Sequence, residues 1–449
     1  ISRTSRPTPI SLASVLALAV ISATVCQSAA MALAAQPIIN HTASHCAFML
    51  LPVLIARSIT FARNVSQLRA TRHRRFRFPR ARVCFYNTRM KPSKSKTAKT
   101  KPFPVRRLYA VLLLLLAGLV WLLVQPQPGL RIARLKPVIA PEEPLPHAPP
   151  AQLRLATYNL ENFTDGRNDG PERTPAVFVT HARDAAAVIA EANPDILLLQ
   201  EIENRRTLEF LNSQLPEPYP YVYITKLRQS AGAREKLNLA LMTRLRPRYT
   251  RQLEFYYLAG KGRPARGVLA ATFDLGDGSY LAVYGIHLKS NYGEAPRNQA
   301  QRGIALCHIA ADAIAETFRH DPAPLSVVIL GDTNVDPEEP QFANDPSLEP
   351  LAGSFVDLWR GRPLAERITI PTRQPGPDGD PTMVFPPAAF DRVFVSKNLT
   401  SHGPWQALSP QAIQKGTDTT NNLTLPGHNG HISDHFLVYT DLRSQAVAE

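Results

Sequence analysis

The stretch Asp195-Ile196-Leu197-Leu198-Leu199-Gln200-Glu201 decides how the C-terminal two-thirds of this chain is read. Its apolar run is short, unbroken and without polar alternation, the pattern of a strand buried on both faces. Glu201 then stands at the end of a buried strand. A carboxylate in that place costs free energy unless it is paired or meets a cation. Mg²⁺ suits it, because this hard ion takes few carboxylates and keeps several waters. The plainer alternative is a salt-bridged strand end.

The same pattern recurs outward along the chain. Leu153, Leu155 and Thr157 alternate with polar neighbours before the chain reaches Asn159. Further strand candidates are 238–243, 267–273, 280–286, 326–330, 390–395 and 436–439. Leu275-Gly276-Asp277-Gly278 splits 267–273 from 280–286 as a hairpin turn. Residues 176–192 and 297–318 carry helical periodicity, the second with Leu306, Ile309, Ala313 and Ile314 on one face. Many strands with a few long helices predict an α+β or mixed sandwich, and a single large domain accommodates residues 151–449.

Polar groups collect where these strands end. The motifs are Tyr158-Asn159-Leu160-Glu161-Asn162, Gln200-Glu201, His287-Leu288-Lys289-Ser290, Gly331-Asp332-Thr333-Asn334, Phe390-Asp391-Arg392 and Ser433-Asp434-His435. Gly331 lets the backbone turn, and Asp332 and Asn334 project on one side because alternate residues share a face. One of them can accept a proton or orient water; the other can donate to an oxyanion. Adjacent Asp434 and His435 face opposite ways, so Asp434 can reach a metal while His435 points into a cleft. Asp391 is the candidate to fix the tautomer and charge of His435. Each motif alone also fits a turn or a surface loop; six strand-end polar groups in one domain do not.

Together the motifs resemble the endonuclease/exonuclease/phosphatase superfamily, which includes DNase I-like nucleases, sphingomyelinases and inositol polyphosphate 5-phosphatases. The resemblance spans roughly residues 152–441 and rests on the identity, order and spacing of short motifs. It implies a four-layered α/β/β/α sandwich with the site at the edge of two packed sheets. It also implies a metal-dependent phosphodiester hydrolase with Mg²⁺, or Mn²⁺ in its place. Carried over by motif, Asn159, Glu201 and Asp434 belong around the metal. Asp332 and Asn334 belong to the water and the phosphoryl oxygen. His287 and His435 contact the scissile phosphate, and Asp391 orients His435. Arg266 matches more loosely an arginine before a strand.

The formal charge of +15 does not belong to that domain. Residues 1–150 hold 22 Lys and Arg against Glu142 and Glu143, which leaves 151–449 with a net charge of −5. The basic pI is therefore no evidence for a nucleic-acid groove. Only Cys307 lies within 151–449, which excludes a disulfide framework or a cysteine zinc site inside it.

Residues 1–89 contain no Asp, Glu, Lys or Gly. They read as sequence upstream of a start at Met90, or else as a targeting segment built around 10–25. A basic tail, 90–107, precedes the uncharged run 108–124, which at ~1.5 Å per residue is just long enough to span a bilayer as one helix. No small-x-small cleavage site follows it, and the basic flank predicts a single-pass anchor with the later domain on the non-cytoplasmic side. Residues 125–150, with eight prolines, read as an extended spacer. Two stretches bear on the substrate. The loop 164–174 is rich in charge, and Tyr219, Tyr221 and Tyr223 either stack on bases or pack a core. Neither separates a nucleic acid from a phospholipid as the phosphodiester partner.

Overall fold

The computed structural model describes residues 130–143, 150–228, 237–256, 258, 260, 262–401 and 403–445. Two seven-stranded sheets form its framework. In chain order the strands are β1 (Arg131–Arg134), β2 (Gln152–Phe163), β3 (Ile196–Ile202), β4 (Tyr221–Ile224), β5 (Asn238–Thr243), β6 (Tyr249–Glu254) and β7 (Val268–Asp274). They continue as β8 (Tyr280–His287), β9 (Leu325–Asp332), β10 (Phe355–Asp357), β11 (Asp391–Ser396), β12 (Trp405–Ala407), β13 (Gln411–Ile413) and β14 (Leu437–Ser444). One sheet runs β1-β6-β7-β8-β9-β11-β10. The other runs β12-β14-β2-β3-β5-β4, with β13 beside β14. Three longer helices, α1 (Pro175–Ala192), α2 (Arg205–Gln214) and α3 (Ala295–His320), cover the outer faces.

The alternation of β3 explains its unbroken apolar run. Ile196 and Leu198 enter the core between the sheets, where Val283, Val328 and Val393 of the other sheet meet them. Leu197 and Leu199 face the opposite way, against Ala185 and Ile189 of α1 and Leu208 of α2. On the far side, Tyr284, Ile286 and Ile329 pack against Leu306, Ile309 and Ala313 of α3. Helix, sheet, sheet and helix thus form four layers, as expected. Local chemistry sets the helix ends. The Thr174 side chain caps α1, Pro175 opens it, and Asn193 closes it in a left-handed conformation. Asn204 and Thr207 form a reciprocal capping box on α2.

The sequence expectation errs in the spacer. Part of it, residues 130–143, is built into the sandwich: β1 pairs antiparallel with β6, and Ile139 bridges to Val222 of β4 in the other sheet. Prolines exclude a central strand but leave an edge strand free to form, and Pro137 falls just after β1. The segments 1–89, 90–107 and 108–124 lie outside the described residues. Among the described residues no helix is long and apolar enough to cross a membrane.

Candidate active site

Two parallel strand pairs carry the chemistry. β2 and β3 run side by side with Asn159 opposite Gln200. β8 and β9 do the same in the other sheet, with His287 opposite Asp332. The antiparallel partners return to the same edge: β11 sets Asp391 opposite Asp332, and β14 pairs with β2 just after His435. Each sequence-predicted site residue is therefore delivered to one rim of the sandwich by a strand end.

Within that rim Asp332 is buried and held from two sides. Its Oδ1 accepts from the Asn334 backbone N–H at 2.8 Å, and its Oδ2 accepts from Asn334 Nδ2 at 2.8 Å. Burial raises its carboxyl to about 7, with nearby Asp391 adding to the rise and His435 opposing it. His435 Nδ1 lies 2.7 Å from Asp391 Oδ2. Burial by itself would lower this imidazole, but Asp391, Asp434 and Asp332 outweigh it and hold it well above its ordinary value. These carboxylates favour the charged form of the His435 ring. His287 goes the other way: burial, then Arg266 and His435, hold it well below the ordinary value. Its Nε2 sits 3.3 Å from Asp332 Oδ2 and 3.6 Å from Glu201 Oε1, yet Arg266 Nη1 is closer at 2.5 Å. The nearer cation and the full burial decide for a neutral ring.

Asn159 occupies the centre. Its Oδ1 accepts from the Glu161 N–H at 3.1 Å, while Nδ2 lies 3.4 Å from both Asp332 Oδ2 and His435 Nε2. The carbonyl expected to meet a metal is engaged by backbone, and the amide nitrogen faces the pocket. Two donors, Asn159 Nδ2 and His435 Nε2, therefore converge on one space, an arrangement that suits a phosphoryl oxygen.

Glu201 Oε2 accepts from the Asn162 N–H at 2.7 Å. Asp434 is partly exposed, and its contact with His435 Nε2 is loose at 3.8 Å. Among the described residues neither carboxylate has a Lys or Arg partner. Two hard oxygen donors with no Lys or Arg against them, beside a third carboxyl whose burial raises it, are a donor set that fits Mg²⁺. Glu161, Asn162, Glu201 and Asn334 all take positive φ, between 41° and 66°. Non-glycine residues in that region store strain, which persists where packing over-determines the backbone.

Several contributors were not assigned from sequence. Glu161 Oε2 accepts from the Asp434 N–H at 2.9 Å and lies 2.9 Å from His431 Nε2, so it ties the first motif to the last. Burial raises the Glu161 carboxyl to about 7, against the pull of Arg373 and of the Asp434 N–H. His431, three residues before Asp434, was the available signal. Arg392, next to Asp391, is fully buried and bonds Asp336 at 3.1 Å, Glu338 at 3.0 Å and Asp357 at 2.8 Å. Arg367 also bonds Asp336. This network locks the loop after Asn334 to the strand that carries Asp391. The carboxylates of Asp165, Asp169 and Glu203 come within 4.8 Å of one another, but they are not the expected set. Asp165 N–H donates to Glu203, which closes the loop after β2.

The sequence matches the endonuclease/exonuclease/phosphatase family over residues 156–435. No curated protein sequence matches it. Among solved structures it is similar to TDP2 from C. elegans, at 17% identity and TM-score 0.44 over 65% of this chain and 75% of that one. It is similar to TDP2 of D. rerio complexed with single strand DNA product, at 17% identity and TM-score 0.45 over 66% of this chain and 100% of that one. An endonuclease/exonuclease/phosphatase from Beutenbergia cavernae gives 17% identity and TM-score 0.41, over 66% and 72%. The family match takes in all six motifs from Ala156 to His435, and on it the chain belongs to the endonuclease/exonuclease/phosphatase family of phosphoester hydrolases.

Proposed function

We propose that the domain is a Mg²⁺-dependent phosphodiester hydrolase of nuclease type. One observation carries this: Asp332, fixed by Asn334, and His435, fixed by Asp391, face the same space as the Asn159 amide and the free side of Glu201. Glu201 and Asp434 would hold the ion. When bound, it neutralises charge on the phosphoryl oxygens. The chain's own groups do the rest. Asn159 Nδ2 and the His435 imidazolium donate to a non-bridging oxygen, and neutral His287 adds a further ring nitrogen on the Asp332 side. Asp332 orients the attacking water in line and takes its proton, and solvent protonates the departing alkoxide. A carboxyl raised to about 7 is well matched to that task near neutrality. An imidazolium held protonated is a poor base, which sets the His435–Asp391 pair second as base.

The second substrate reading is a phospholipid or small phosphoester, favoured by the apolar run 108–124. On the same ground we propose that the chain is a single-pass membrane protein with the catalytic domain on the non-cytoplasmic side. Protease protection in sealed vesicles tests the topology. A parallel assay with plasmid DNA, sphingomyelin, bis-p-nitrophenyl phosphate and p-nitrophenyl phosphate, each with Mg²⁺ and with EDTA, tests the chemistry. EDTA-sensitive turnover of the diesters is expected. No turnover of any substrate would sink the proposal in favour of a binding module on the same fold.

A further inference from the structure

A second concave site lies at the opposite end of the strands. A cavity of about 370 Å³ opens between the edge of one sheet, at β1 and β6, and the edge of the other, at β4. Its walls include the guanidinium-bearing Arg134, Arg246 and Arg248, and its floor includes Tyr221, Tyr223 and Pro247. The three arginines are exposed, whereas both tyrosines and the proline are buried. Tyr221 pairs with Thr243, and Thr243 pairs with Ile196 at the start of β3. The catalytic groups stand at the other end of β3, so seven residues of strand separate the two sites. That is roughly 20 Å at ~3.3 Å per residue.

The charge is out of keeping with the domain around it. Residues 151–449 carry a net −5, while the cavity gathers three arginines against Glu142 alone. Among the described residues neither Arg134 nor Arg246 has a carboxylate partner. Arg134 sits 6.0 Å from the centre of the Tyr249 ring, and Arg248 is spread between Tyr280 Oη at 3.2 Å and Asp274 at 3.9 Å. Unspent guanidinium forks match phosphate oxygens, and buried aromatic rings beneath them offer an apolar floor for the rest of a ligand. The volume falls in the range of small-molecule sites. The wall that closes it is residues 134–142, held to one sheet by Leu135 N–H on Thr250 and to the other by Val138 N–H on Val222.

We propose that this cavity binds a phosphate-bearing anion, carried either on a lipid headgroup or on a soluble phosphate ester, away from the catalytic rim. The test uses the full chain in EDTA, so that turnover at the catalytic rim is silent. Hydrogen exchange across residues 131–142 and 246–250 is followed with inorganic pyrophosphate, AMP or dihexanoyl-phosphatidylglycerol. Protection of both segments is expected. Protection by the lipid alone assigns the headgroup source, and protection by all three assigns soluble phosphate. The Arg134→Gln/Arg246→Gln variant should need at least tenfold more ligand with an unchanged thermal midpoint. An Arg134→Lys/Arg246→Lys variant, which keeps charge and loses the fork, should fall between. Absence of protection in every arm, or equal affinity in the glutamine variant, overturns the proposal. Neither outcome depends on whether the catalytic rim turns over a diester.

Discussion

Asp332 and His435 are separated in sequence by 103 positions, yet their functional atoms lie 3.9 Å apart. Both groups are shifted upward, the carboxyl to about 7 and the imidazole well above its ordinary value, and this divides the labour between a proton acceptor and a charged donor. Asp332→Asn should lower kcat at saturating Mg²⁺ by ~10²-fold or more, and His435→Ala by a similar factor. Activity within about threefold of the parent in steady-state assays would remove the assignment. Glu161→Gln belongs to a different class, since Glu161 acts through Asp434 and His431. It should weaken the apparent Mg²⁺ affinity by ~10-fold while leaving kcat at saturating ion nearly intact, because groups that support a ligand tune affinity. A Mg²⁺ titration of activity separates the two effects. The residues that meet at the rim could be singled out in the sequence because each flanks an apolar run. Glu161 and His431 were not, because their partnership depends on β14 lying beside β2, and nothing local in either motif encodes that pairing.

At the level of elements, strands and long helices were read from periodicity, and their ends fell within a few residues of the structure. The reading missed α2, β6 and the short strands β10, β12 and β13, and it placed β1 in a spacer; the four residues of β1 carry no periodicity of their own and gain order from β6. Gly331 tests the strand-end geometry. It has φ 138°, and a Cβ there would collide with the Ile286 carbonyl of β8. Gly331→Ala should cost about 3 kcal/mol in denaturant unfolding and displace Asp332 with it. His181 on α1 tests burial. Burial, then His431, lowers its imidazole to about 3. The unfolded chain therefore binds a proton below about pH 6.5 that the folded chain refuses. Stability is retained above that pH and lost as pH falls, at up to ~1.4 kcal/mol per unit for this one group. Chemical denaturation from pH 7 to 5 should show that slope diminished in His181→Gln relative to the parent. Equal slopes would mean that the ring is not buried neutral.

For the molecule as a whole, the four-layered sandwich followed from strand and helix patterns together with the family resemblance. The arginine-lined cavity did not, since its walls come from stretches more than a hundred residues apart. The crowded carboxylates at the rim predict a global response to metal. Adding Mg²⁺ at a hundredfold its dissociation constant should stabilise the fold by about 2.7 kcal/mol, read as a rise in thermal midpoint that EDTA reverses. An unchanged midpoint would argue against ion binding by the folded chain. The pairing of β14 with β2 has one more consequence. Asp434 and His435 are made some 275 residues after Asn159, which must wait for them. A nascent or prematurely terminated chain would carry most of the sandwich but neither of these two groups. On the proposed function, the order of synthesis thus acts as a safety interlock, keeping hydrolytic power out of a copy interrupted before Asp434.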